Sequence, residues 1–388
     1  MIGIVGGGLA AAKLVEGYRE AGGEEAITIW SQDPRGPYHR PGLSKRVLRG
    51  EAEADSVLAH PTEWYAENGA DLRTRETVTS LDDVDADTIV IATGARPRPL
   101  PGALPLRTVD DSLTLRARAQ AAGSAVVVGG GFIGCEVTAS LTVLGVRVTQ
   151  IVREPNLFSV LQAPALSEVI EARYRDHGVD LRLGETEIPE APLTVAGIGV
   201  EPNVELARDA GLEVQSGVIT DERFATSRPG VYAIGDVAEF YDPVFGRRRR
   251  IEHWSNAAYH GTTLGHILAG ADERYDIVSS FFSEQFGHRF KLFGDVTEHE
   301  STTLEGDFAT GAGVLRYLRA GRTVAALVTG QEEDAETALK AGDSAGACAG
   351  VKAFIAHVRA QSGRKLTTDL ATVLIEHATR IRTVLGCR

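Results

Sequence analysis

The sequence predicts an α/β protein made of two Rossmann-like dinucleotide-binding domains, followed by a C-terminal α+β domain with a helical tail. Two observations carry that expectation. Apolar runs, glycine turns and helical stretches alternate from the start to about residue 235, the pattern of parallel sheets with crossover helices. A strand–turn–helix–strand unit also occurs twice, which is a duplication of architecture rather than a short tandem repeat. At 388 residues the chain exceeds what one hydrophobic core usually organises.

The first unit opens with a strand at Ile2 to Val5, turns through Gly6-Gly7-Gly8, runs as a helix over about Leu9 to Ala21 and returns as a strand at Ala26 to Trp30. Within it, Gly6-x-Gly8-x-x-Ala11 has each residue where a pyrophosphate cradle needs it. The first glycine permits a tight turn, the second admits the pyrophosphate to the backbone, and a small third residue lets helix and strand pack closely. The helix start then offers free N–H groups and the positive end of its dipole. An acid at the end of the second strand should hold the adenosine ribose, and Asp33 is the candidate.

The second unit repeats the layout with a strand at Ala125 to Val128, the turn Gly129-Gly130-Gly131, a helix around Phe132 to Leu144 and a strand at Arg147 to Val152. Its fingerprint is Gly129-x-Gly131-x-x-Gly134. The acid expected near Val152 is missing, and Arg153 and Glu154 follow. Arg153 suits the 2′-phosphate of NADP, whereas Glu154 and Gly134 point to NAD, so the choice between NADH and NADPH stays open.

After about Phe240 the pattern changes to β-rich segments at Arg289 to Phe293, Gly313 to Leu318 and Thr323 to Val328. The expected division is 1–105 with 220–275 for a first, discontinuous cofactor domain, 106–219 for a shortened second one, 276–345 for the α+β domain and 346–388 for a helical extension. In that extension Leu370, Val373, Leu374, Ile381, Val384 and Leu385 share one helix face, with Thr368 as a cap. Such a face packs on the body or on a second subunit, as in a homodimer.

A net charge of −13 argues against nucleic acid as a partner, because phosphate-binding surfaces concentrate positive charge. Arg247 to Arg250 is the one basic run, expected as a solvated loop or a dock for an acidic partner. Cys135, Cys348 and Cys387 form no CxxC pair, so neither a disulfide framework nor a paired zinc site is expected. No membrane span and no secretory signal are read, and a cytoplasmic setting is expected.

Further segments complete a recognisable set: Pro37-Tyr38-His39-Arg40-Pro41-Gly42-Leu43-Ser44-Lys45, Ala92-Thr93-Gly94-Ala95, Gly197-Ile198-Gly199-Val200-Glu201-Pro202-Asn203, Ala233-Ile234-Gly235-Asp236 and Glu252-His253-Trp254. With the two turns, they make the chain resemble the FAD-dependent pyridine nucleotide reductases of the ferredoxin and rubredoxin reductase type, from Met1 to about Lys340. The resemblance implies FAD in the first unit and NADH or NADPH in the second. It implies Lys45 beside flavin N5, with Glu136 as its carboxylate partner. By residue type alone these are a surface lysine and a helix-face glutamate. A cation there stabilises electron density gathered by the reduced ring, and the carboxylate keeps it charged and oriented.

The same resemblance implies that Asp236 bonds the ribityl chain and that Trp254 lies near the isoalloxazine ring. Other implied cofactor contacts are Gly6, Gly7, Gly8, Leu9, Ala10, Ala11, Arg40, Val78, Ala92, Thr93, Gly94, Gly235 and His253. In the second unit they are Gly129, Gly131, Phe132, Ile133, Gly134, Arg153, Gly197 and Gly199. Departures also show. Gln32 precedes Asp33, the stretch from Leu183 to Leu193 is short, and Phe282 stands where the family carries tryptophan.

Disulfide reductases of the wider superfamily carry a cysteine pair after the first unit, and residues 31–60 contain none. A dithiol relay is therefore not expected. The leading expectation is hydride transfer from NAD(P)H to flavin N5, then single electrons to an iron–sulfur protein such as a ferredoxin. Two alternatives stand beside it: a flavoenzyme acting on a small-molecule acceptor or oxygen, and an FAD-stabilised binding or assembly protein.

Overall fold

The computed structural model describes residues 1–329. The expected helical extension, with Cys348 and Cys387, lies outside the described residues.

The first sheet is parallel and five-stranded, in the order Val231–Ala233, Thr88–Ile91, Ile2–Val5, Ile27–Ser31, Ala70–Thr74. Its central strands are mostly apolar because both faces of the sheet are buried; Ile4, Ile29, Val90 and Ile91 have no exposed surface. The second sheet is parallel and four-stranded, in the order Thr194–Ala196, Ser124–Val128, Arg147–Val152, Asp180–Leu183. In both, the strand before the glycine turn sits centrally, with its successor on one side and a later strand on the other. That is the switch point where α/β sheets bind ligands. Residues 184–193 cross to the last strand of the second sheet without a strand or helix of their own.

Val231–Ala233 returns to the first sheet and leads, through Gly235, to the helix Trp254–Leu268. That helix packs on Leu9–Glu20 almost backbone to backbone, and three glycines make this possible. A Cβ at Gly17 would lie 2.6 Å from the Thr262 carbonyl oxygen, one at Gly261 2.3 Å from that of Ala10, and one at Gly265 2.6 Å from that of Leu14. The close contact sets His260 beside Gly235, which in turn packs near Ala10 in the first helix.

The C-terminal part is an antiparallel sheet in the order Ser280–Gln285, His288–Gly294, Arg322–Thr329, Ala312–Arg319, Ser301–Asp307. Alternation puts His288, Phe290, Leu292 and Gly294 on one buried face. Phe290 meets Phe158 of the second unit edge-on at 5.2 Å between ring centroids. The expected strands extend by a residue on each side. Ser301–Asp307 was not expected, because every residue in it is exposed and it carries no apolar alternation. Residues 280–329 hold strands and no helix, so the helical share expected of this domain is not found in its described part.

Candidate active site

The two glycine turns are built alike. Gly6 and Gly129 have φ of +118° and +121°, and a Cβ on either would strike a backbone oxygen, Ala92 at 2.2 Å and Gly197 at 2.3 Å. Glycine is required at both. Gly7 lies against Ser31 and Gly130 against Val152, each too close for a side chain. Gly8 and Gly131 differ in kind. Among the described residues, a Cβ would meet only the tip of Arg40 at 3.6 Å at Gly8, and nothing within 4 Å at Gly131. Protein packing does not demand these two glycines; open space faces them. The third positions also differ: Ala11 is fully buried, while a Cβ at Gly134 would lie 2.3 Å from the Gly129 oxygen.

Neither helix that follows has a side-chain cap, so Leu9 and Ala10, and Phe132 and Ile133, present their first-turn N–H groups at uncapped ends. Arg40 reaches the first of these ends. Its guanidinium donates to the Arg107 carbonyl at 3.3 Å, and among the described residues it has no carboxylate ion pair. Burial and the neighbouring Arg107 pull Arg40 below the usual arginine range. Arg107 itself pairs with Asp236 at 2.8 Å. Two adjacent guanidinium groups, one carboxylate and an uncapped helix form an anion site, so the residues present fit the pyrophosphate of FAD. Sequence reasoning missed Arg107, which lies far from both turns in the chain and carries no local pattern.

At the centre, Lys45 Nζ lies 2.6 Å from Glu136 Oε2, with side-chain exposures of 15% and 6%. Glu136 also accepts from Ser44 at 2.5 Å and from Ser283 at 2.6 Å. Three parts of the chain therefore meet on one carboxylate: the segment after the first unit, the second helix and the C-terminal sheet. Two hydroxyl donors and the ammonium together fix the carboxylate in place. Phe282, beside Ser283, brings its ring to 5.9 Å from Lys45 Nζ. Sequence reasoning missed Ser283, whose neighbour Phe282 was noted only as a departure from the family.

Trp254 is 40% exposed and donates its indole N–H to His39 Nδ1 at 2.8 Å. His253 stacks on Phe281 at 4.0 Å and 10°, with Phe132 edge-on to both. Burial lowers the His253 pKa to about 4, so the ring is neutral. An aromatic wall thus joins the second unit to the C-terminal sheet beside Lys45.

The loops after the fourth strand of each sheet are paired too. Thr93 donates to the Asn203 carbonyl, and the Asn203 side chain donates back to the Thr93 carbonyl, both at 2.8 Å. Gly94 and Gly199 both have positive φ, +66° and +96°. Gly197 packs on Gly134, where a Cβ would lie 2.6 Å from the amide nitrogen. Asp33 sits beyond the second strand and accepts from the Arg35 amide at 2.9 Å and the Tyr38 hydroxyl at 2.8 Å, while Gln32 is exposed. Val78 packs against the apolar cluster beneath the first sheet. Val152 is fully buried, and Arg153 is 79% exposed and paired with Glu154 at 2.8 Å.

Arg247 to Arg250 does not form the solvated basic loop expected. Arg249 is held by Asp242 at 2.7 Å and Asp295 at 3.1 Å, Arg247 pairs with Asp295, and Arg250 with Glu252. The run is largely neutralised within the chain. Cys135 is buried, and burial pushes its thiol far up, so it is a packing residue. Among the described residues no helix is long and apolar enough to cross a membrane.

The chain matches the family described as pyridine nucleotide-disulphide oxidoreductase over residues 2–191 and 184–261. The junction of the two matched pieces falls on the short crossover after Leu183. It is 32% identical to putidaredoxin reductase CamA of Pseudomonas putida, over 83% of this chain and 86% of the relative. It is 30% identical to the ferredoxin–NAD(+) reductase subunit of a benzene 1,2-dioxygenase system from the same organism, over 86% and 90%. A solved covalent complex of putidaredoxin reductase with putidaredoxin superposes with a TM-score of 0.81 at 31% identity, over 85% of this chain and 89% of that one.

Proposed function

Because the chain belongs to the pyridine nucleotide-disulphide oxidoreductase family, we propose that it is a FAD-dependent NADH oxidoreductase that passes electrons to a ferredoxin-like iron–sulfur protein. The observation that carries this reading is the buried Lys45–Glu136 pair at 2.6 Å, with Glu136 on the helix that follows the second glycine turn and, among the described residues, no cysteine pair beside it. The bound flavin and nicotinamide supply hydride exchange and its conversion into single-electron transfers.

The chain's own residues bind, orient and shield. The Gly6–Gly8 turn, Arg40 and Arg107 hold the anionic part of FAD, and Asp236 and the loop at Thr93 and Gly94 fix its ribityl side. Lys45 places a positive charge where the reduced ring gathers negative charge, and Glu136, fixed by Ser44 and Ser283, keeps that charge in place. Phe132, His253 and Phe281 close the site against water. Gly129, Gly131, Gly197 and Gly199 leave a second, more open cradle for NADH. The domain division at 105, 219 and 275 and a cytoplasmic location belong to the same proposal.

Anaerobic stopped-flow mixing tests it. NADH should bleach the flavin absorbance, and an added ferredoxin should restore it in steps of one electron. A spectrum unchanged by NADH and NADPH alike would refute the entry of electrons; turnover at full rate with ferredoxin omitted would refute their exit.

A further inference from the structure

His260 is wholly buried in the helix Trp254–Leu268, one residue before the Gly261 contact with Leu9–Glu20. Its Nδ1 accepts the backbone N–H of Gly235 at 3.2 Å. Among the described residues its Nε2 has no hydrogen-bond partner. Three rings wall it in, Phe224 at 4.5 Å, Phe240 at 4.6 Å and Tyr275 at 4.6 Å between centroids. A backbone N–H can only donate, so Nδ1 must carry a lone pair and the proton must sit on Nε2. An apolar side chain would fill this cage without burying an unmatched polar atom, so the imidazole is present for what Nδ1 holds. What it holds is the turn at Gly235, with φ +76°, which carries Asp236 to its 2.8 Å pair with Arg107.

We propose that His260 is a positioning residue for bound FAD, locked in the Nε2–H tautomer so that Nδ1 fixes the Gly235–Asp236 turn against the flavin. The inference rests on the reading of Asp236 as a flavin contact. Asn places an oxygen near the position of Nδ1 but leaves a larger void than Leu, which fills more of the cage and accepts nothing. The two demands therefore rank the variants in opposite orders.

The test compares wild type, His260→Asn and His260→Leu by FAD titration of the apoprotein and by apoprotein thermal melting. His260→Leu should weaken FAD binding about tenfold or more. His260→Asn should bind within about threefold of wild type while its apoprotein melts no higher than that of His260→Leu. FAD affinity that follows apoprotein melting, or His260→Leu binding as tightly as wild type, overturns the proposal while leaving the flavoprotein reading intact. Wild-type apoprotein that takes up no FAD overturns both. Nitrogen NMR at neutral pH gives a direct check: Nδ1 should be unprotonated and Nε2 protonated, and the reverse tautomer would sink the idea.

Discussion

The two dinucleotide units share a turn but not its surroundings. Around Gly8 the chain brings Arg40, Arg107 and Asp236, each partly buried; around Gly131 it brings Ile133 and Ile198, each 38% exposed, and the exposed pair Arg153–Glu154. The same backbone device is enclosed in one case and left open in the other. A resident cofactor gains from buried, preorganised charge, because that charge strengthens binding and slows release. A coenzyme that must leave after each turnover is served by an accessible cradle with few charges. Under the proposed function, this difference separates a retained group from an exchanged one.

Substitutions at equivalent glycines break the comparison most severely. Gly6→Ala puts a methyl 2.2 Å from the Ala92 oxygen at a φ of +118°, and the strain should cost about 1–3 kcal/mol beyond the clash. The purified protein should come out without FAD and unfold earlier. Gly129→Ala is equally strained but lies in the other half, so it should keep FAD and lose reduction by NADH. Gly131→Ala, with open space around its Cβ, should melt like wild type and weaken NADH binding about tenfold. Flavin content, melting temperature and NADH affinity read these outcomes. A Gly129→Ala protein that loses FAD as completely as Gly6→Ala would show that the halves are not separable.

Glu136 belongs to both halves, since it sits on the second helix and pairs with Lys45 near the first turn. Glu136→Gln leaves Lys45 without its 2.6 Å ion pair while keeping volume and some hydrogen bonding. FAD should stay bound, and the anaerobic reduction rate should fall about 100-fold. Wild-type reduction by NADH in this variant would remove the pair from the mechanism.

What the sequence made legible follows from where each requirement resides. The glycine turns announce themselves because backbone geometry demands glycine at fixed spacing. Lys45 and Glu136 are ordinary residues by type, and only the family resemblance joined them across the chain. Ser283 and Arg107 were missed because their contacts cross from one part of the fold to another, without a local period to betray them. Arg247 to Arg250 misled for the same reason. Asp242 and Asp295 neutralise the run from a neighbouring strand segment and from the C-terminal region, and composition cannot show that pairing. Ser301–Asp307 escaped because a strand exposed on both faces has no apolar alternation.

The smallest effect concerns which coenzyme the open half prefers. With Val152 buried where an acid was expected, Glu154 is the first carboxylate after that strand, and its hydrogen bond to Arg153 holds its carboxyl below the usual range. An exposed pair of this kind is worth about 0.2–1 kcal/mol, so neither side chain is firmly committed. A carboxylate at Glu154 would accept from a free 2′-hydroxyl and repel a 2′-phosphate, whereas an unpaired Arg153 would attract the phosphate. Glu154→Gln should therefore shift the ratio of kcat/KM for NADPH over NADH upward about fivefold. Arg153→Ala should leave NADH within about twofold and lower NADPH further. If Glu154→Gln leaves the ratio where it was, the carboxylate does not face the ribose, and any preference between the two coenzymes must come from the shape of the cradle.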